Sequence, residues 1–221
     1  MDKKKLIILL SILVLLVTGC SVHKFDENDI GSNVKYLLGH KTKMHNVNFD
    51  GYKYFVPKGT KFLNKQEYNS ILLDKYDNKY YMYVDAVSYY HKTDIEYKVN
   101  KSSHYSKKLK YGKKDGYLQI DELDKSYFVQ YMYNYTKIEA YVKKSSLNDA
   151  IINMSYILRS VDFNDNVLES LIGNNILSYK EEKYSLFDKK SSETFLDVVE
   201  KYEDDAYKKA IEDETIELED E

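Results

Sequence analysis

The chain has 221 residues, with 33 Lys and Arg against 36 Asp and Glu and a net charge of −3. That length suits one domain of ordinary size with appendages, and the near balance of charge leaves no global electrostatic case for nucleic acid. Cys20 is the only cysteine, which excludes an internal disulfide and a zinc site made of cysteine clusters.

Residue usage is skewed. One Arg, one Pro and no Trp stand beside 24 Tyr, with Lys, Asn and Ile also frequent. This is the usage of A/T-rich codons, so a cluster of Tyr or Lys carries less information here than in an average chain.

Residues 1–20 have the three parts of an export signal: the basic run Lys3-Lys4-Lys5, an apolar run from Leu6 to Val17, and small residues ahead of Cys20. The apolar run is about a dozen residues, short of the roughly 20 that a helix needs to cross a bilayer. Val17-Thr18-Gly19-Cys20 resembles the bacterial lipobox. The resemblance implies cleavage before Cys20, a diacylglycerol on its thiol, palmitate among the acyl chains, and attachment to the extracytoplasmic face of the cell membrane. Two acyl chains give stable anchoring, at ~0.8 kcal/mol per buried methylene. A plain cleaved signal peptide is the competing reading, and a lone exported thiol at this spacing argues against it.

Residues 20–48 are expected to be the lipidated N-terminus and a tether. Within it Val34, Tyr36, Leu37 and Leu38 form an apolar knot, a short helix or a strand that docks later. His40 and His45 lack converging ligands at metal-site spacing and are read as solvated.

Residues 49–163 are expected to be the folded domain. Gly51–Val56 alternates as a strand, followed by the turn Pro57-Lys58-Gly59. Tyr68–Tyr76 and Tyr80–Tyr90 form a hairpin around Asp77-Asn78-Lys79. Strands then follow at Ser106–Tyr111, Tyr117–Glu122 after a turn from Gly112 to Gly116, Tyr127–Tyr135, and Ile138–Val142. At Ser146 the period changes: Leu147, Ala150, Ile151, Met154, Ile157 and Leu158 make one helical stripe. Ser146 and Asp149 have capping-box spacing. The fold class is therefore α+β, an antiparallel β-meander covered by a C-terminal helix. The Phe55-Val56-Pro57-Lys58-Gly59 opening, meander and covering helix together resemble the PsbP-like α+β fold. That resemblance implies an assembly or interaction factor and transfers no active-site residue.

Residues 164–211 are expected to be a helical appendage. It contains a short helix Val167–Ile172 ending at Gly173, and a helix from Glu193 to Ala210 capped by Ser192, with Phe195, Val198, Val199, Tyr202 and Ala206 as its stripe. Residues 212–221 form an acidic tail with seven carboxylates.

No catalytic constellation is legible: there is no Gly-x-Ser-x-Gly elbow, no phosphate-cradling glycine loop and no His-Glu-x-x-His, and acylation of Cys20 removes thiol catalysis. Asp162, Asn164 and Asn166 imitate the start of an EF-hand loop, but Val167 and Gly173 stand where Gly and Glu are required. The carboxylates Asp85, Glu122 and Glu139 are not brought together by anything in the sequence. The Lys-rich stretch between His91 and His104 also contains Asp94 and Glu96, which dilute its field. Tyr127, Tyr131, Tyr133 and Tyr135 are the candidate partner surface, with structural packing as the competing reading.

The expectation is a membrane-anchored, non-enzymatic interaction or accessory module at the cell envelope. It needs no cofactor and no metal, and its partner is an envelope protein or wall polymer. The alternative is an envelope-directed hydrolase or a ligand-binding lipoprotein.

Overall fold

The computed structural model describes residues 25, 29–40, 42 and 44–173. The expected signal with Cys20, the helix expected over Glu193–Ala210 and the acidic tail lie outside these residues.

The architecture is α+β. Helix α1 (Ile30–Gly39) leads into β1 (Val47–Phe49) and β2 (Tyr52–Tyr54). Strands β3 (Lys61–Lys65), β4 (Asn69–Leu73) and β5 (Lys79–Val84) follow, then the short helix α2 (Ala86–His91). Strands β6 (Tyr105–Tyr111), β7 (Lys114–Glu122), β8 (Ser126–Tyr133) and β9 (Thr136–Lys143) lead to α3 (Leu147–Ser160), β10 (Asp162–Phe163) and α4 (Asp165–Gly173). The main sheet is antiparallel in the order β3-β4-β5-β9-β8-β7-β6, and a small sheet has the order β1-β2-β10. No described helix is long and apolar enough to cross a membrane.

Helix α3 forms where the sequence changes period, and the whole predicted stripe is buried. It packs across β8 and β9, facing Val129, Tyr131, Ile138, Ala140 and Val142, each large member contributing about 1.5–3 kcal/mol by burial. The Tyr131 hydroxyl lies 3.0 Å from Ser155 Oγ, which fixes the side of the sheet that α3 occupies. Ser146 does not cap α3 through its side chain. Its Oγ accepts from Asn78 Nδ2 at 3.0 Å and donates to the Lys143 carbonyl at 3.2 Å. The hydroxyl is thereby spent on the buried Asp74–Asn78 turn, where Asp74 accepts from two backbone amides, Asn78 Nδ2 and the Tyr80 hydroxyl.

Three expectations change. Residues 29–40 are not a spacer: Val34, Leu37 and Leu38 are buried in α1, which packs on α3. Asn33 donates to Asn148 Oδ1 at 3.1 Å, and Arg159, the only arginine, donates to the carbonyls of Leu37 and His40 at the end of α1. A guanidinium there satisfies carbonyls that the helix leaves open.

The Tyr80–Tyr90 strand stops at Val84. Asp85 Oδ1 accepts from the Ser88 amide at 2.9 Å and starts α2, which outweighs the alternation that continues through Val87.

Finally, Gly116 belongs to β7 rather than to a turn. The turn is Gly112-Lys113, with φ +65 at Gly112.

The chain also departs from a plain meander. Since β5 pairs with β9, the connection from β5 to β6 must pass β9, β8 and β7. It does so through α2 and the irregular residues 93–104.

Candidate interaction face

Strand parity separates the two faces of the large sheet. On β8, Val129, Tyr131 and Tyr133 point toward α3, whereas Phe128, Gln130 and Met132 point away and are half-buried. Register carries this outer face sideways. Gln119 pairs with Gln130, Gln130 with Glu139, Glu139 with Tyr81, and Tyr81 with Ile71. A second row contains Tyr117, Met132, Lys137 and Tyr83. A third has Asp121, Phe128 and Tyr141.

Glu139 is the centre of this face and is 1% exposed. Lys137, two residues earlier on the same face, places Nζ 2.7 Å from Glu139 Oε1. Such a pair in partial burial holds its geometry but contributes little net stability, because desolvation offsets the attraction. Around it are aromatic rings: Phe128 lies 4.9 Å from Tyr141, and Tyr97 stacks on Tyr117 at 4.1 Å with planes 1° apart. Burial, and then the Glu139 charge, push the Tyr117 phenol up to about 12. The same causes raise Tyr141. These phenols stay protonated at neutral pH, so they donate hydrogen bonds rather than accept protons.

Tyr97 shows which side the β5–β6 connection takes. Its hydroxyl donates to Gln119 Oε1 at 2.8 Å and lies 2.6 Å from Ser106 Oγ, both on the face away from α3. The Ser106 Oγ also accepts from the Asn100 amide at 2.8 Å. The connection is thus pinned across the β6–β7 end of the outer face. What remains toward β8, β9 and β5 is a sheet of rings with one central ion pair. Its chemistry is stacking and hydrogen bonding.

The tyrosines singled out from the sequence lie elsewhere. Tyr131 is fully buried on the α3 side, and burial drives its phenol upward. Tyr133 is buried edge-on to Tyr111, and its phenol is pushed up to about 12. Neither presents a surface. Tyr127 packs against the core with its ring 4.8 Å from His104. Tyr135 sits in the β8–β9 turn at φ +58, edge-on to Tyr89 at 5.7 Å. Parity makes the tyrosine stripe a core stripe, and its neighbours Phe128, Gln130 and Met132 lie half-buried on the opposite face. The alternation of Lys137, Glu139 and Tyr141 in β9 was the available signal for it.

The carboxylates Asp85, Glu122 and Glu139 each have different partners: Asp85 caps α2, Glu122 accepts from Lys144 at 2.6 Å, and Glu139 pairs with Lys137. The His40 ring lies 4.1 Å from Tyr36, tilted by 41°, at the end of α1. Among the described residues no group of three or more His, Cys, Asp or Glu is placed to hold a metal ion.

A concavity of ≈ 590 Å³ lies between the β1–β2 turn and the start of α4, and is lined in part by Asp50, Lys53, Asp162, Asn164 and Asp165. Several of its polar groups are engaged in joining elements. Lys53 pairs with Asp162 at 3.3 Å, the Tyr89 hydroxyl donates to Asp165 at 2.8 Å, and Asn164 accepts from the Val167 amide at 3.4 Å. This is the joint between the small sheet and α4.

No family model, no curated protein and no solved structure matches the chain.

Proposed function

We propose that the chain is a lipid-anchored extracytoplasmic protein whose domain acts as a non-enzymatic interaction or accessory module at the cell envelope. The observation that carries this reading is the Val17-Thr18-Gly19-Cys20 sequence behind a short apolar run, with Cys20 the only cysteine. An acyl anchor confines the domain to a thin layer near the membrane and so raises its effective concentration toward any partner held there. The outer sheet face supports the reading through the surface it offers. Tyr141, Phe128 and Tyr83 supply stacking area, and Gln130 supplies hydrogen bonds. Aromatic side chains of this kind give large contact area at low entropic cost.

The test is cross-linking in the protein's own membranes, with a photoreactive phenylalanine analogue placed at Phe128 or Tyr141 and, as control, at the exposed Leu63. The reading predicts one recurrent envelope component linked from the two outer-face positions and not from Leu63. The same products from all three positions would overturn it.

A further inference from the structure

We infer that the concavity between the β1–β2 turn and the start of α4 is a binding site for an uncharged saccharide. The inference rests on this concavity alone and stands whether or not Cys20 is acylated.

Shape comes first. At ≈ 590 Å³ the concavity has the size of a small-molecule site, and its walls are held before any ligand arrives. The Asn164 amide donates to the Gly51 carbonyl at 2.8 Å. Gly51, at φ +88, lies so close to α4 that a Cβ there would stand 2.6 Å from Leu168 Cδ2. Phe49 stacks on Tyr52 at 5.3 Å, and Phe163 stacks on Tyr89 at 3.9 Å. Both of these half-buried phenylalanines line the concavity. A site fixed in this way loses little conformational freedom on binding.

The ligand's chemistry follows from what the joint leaves unused. The Tyr89 hydroxyl engages Asp165 Oδ1, and the Val167 amide engages Asn164 Oδ1. Asp165 Oδ2 remains as an acceptor and Asn164 Nδ2 as a donor. Asn48, Asp50 and Asn166 are exposed in the lining, and among the described residues nothing engages their side chains. Donors and acceptors are thus interleaved beside two apolar rings. A hydroxyl both donates and accepts, so a sugar uses both kinds of group while its C–H faces pack against Phe49 and Phe163.

Charge narrows the class further. Asp50, Asp162 and Asp165 stand against Lys53 alone, and Lys53 is already paired with Asp162 at 3.3 Å. A phosphorylated or uronic glycan therefore meets net repulsion. A bare cation is disfavoured as well, since among the described residues no three acidic or His side chains are placed to hold one.

The test screens the full chain, in a detergent without a sugar headgroup, against an array of uncharged and anionic glycans. The best-bound glycan is then mapped by 1H–15N NMR. The expected result is saturable binding of an uncharged glycan that shifts amides within residues 48–53 and 162–167. Asp50→Ala combined with Asn166→Ala should raise Kd at least about tenfold. Asp94→Ala removes the same charge from an exposed loop and should leave Kd unchanged. Variant spectra that match the parent outside the two segments separate a lost ligand contact from a lost fold. The inference is overturned if no uncharged glycan binds, if anionic glycans bind more tightly, if the shifts map elsewhere, or if calcium chloride alone produces them.

Discussion

Gly116 lies opposite Tyr133 in the β7–β8 pair. A Cβ there would stand 2.1 Å from the Met132 carbonyl oxygen, and that neighbour is backbone within the paired sheet, so it cannot swing aside. Gly116→Ala should therefore cost about 3 kcal/mol or more, read as a lower urea midpoint with unchanged slope. Gly59 provides the contrast, since its Cβ would meet only Lys75 at 3.9 Å, although φ +89 adds backbone strain.

Asp85 makes a second residue-scale prediction. Its carboxylate caps α2, yet burial outweighs the bonds from Ser88 and raises its pKa above the ordinary value of 3.8. A raised carboxyl pKa means that the fold prefers the neutral acid. The group's stabilising contribution is complete below the unfolded-state pKa and is lost as pH rises through the folded one. Asp85→Asn keeps a capping oxygen without the charge. At pH 7 it should unfold at higher urea than the parent, with the gain shrinking as pH falls through the raised pKa and gone below the ordinary value of 3.8. Asp85→Ala should instead lose about 0.5–2 kcal/mol at pH 7.

At the scale of elements, the irregular connection over the outer face depends on one ring. Removing the Tyr97 side chain abolishes the stack on Tyr117 and the hydroxyl bridge between Ser106 and Gln119. Tyr97→Ala should cost about 1–2 kcal/mol and speed amide exchange across residues 93–104 far more than in α3.

This connection also marks where sequence reading stopped. The α3 stripe, the β6–β9 strands and the α+β class were legible because period and turn residues are local signals. That β5 pairs with β9 rather than with β6 was not, because register between distant strands leaves no local trace. Helix α1 was half visible. Val34, Leu37 and Leu38 have helical spacing, but the partner that holds the helix end, Arg159, lies 122 positions from Leu37. For the tyrosines of β8, the packing reading holds at Tyr131 and Tyr133, both buried, although no local signal decides it. β8 is aromatic on both sides, so its alternation gives two faces without saying which one meets α3.

For the whole molecule, the proposed function divides the work between the domain and a lipid anchor. The large sheet buries one face under α3 and carries rings around the buried Glu139 on the other, while in the proposed function Cys20 would set where the domain is held. Partner recognition and membrane attachment are then separable: loss of the anchor should leave the fold and the outer face intact.

The most direct measurement is metabolic labelling with an alkyne palmitate in a host that processes lipoproteins, comparing the full chain with Cys20→Ala. The account predicts label on the parent chain, retained in the membrane fraction, with the variant unlabelled and released or held as uncleaved precursor. A parent chain that takes no label, or a Cys20→Ala chain that labels equally, would contradict it.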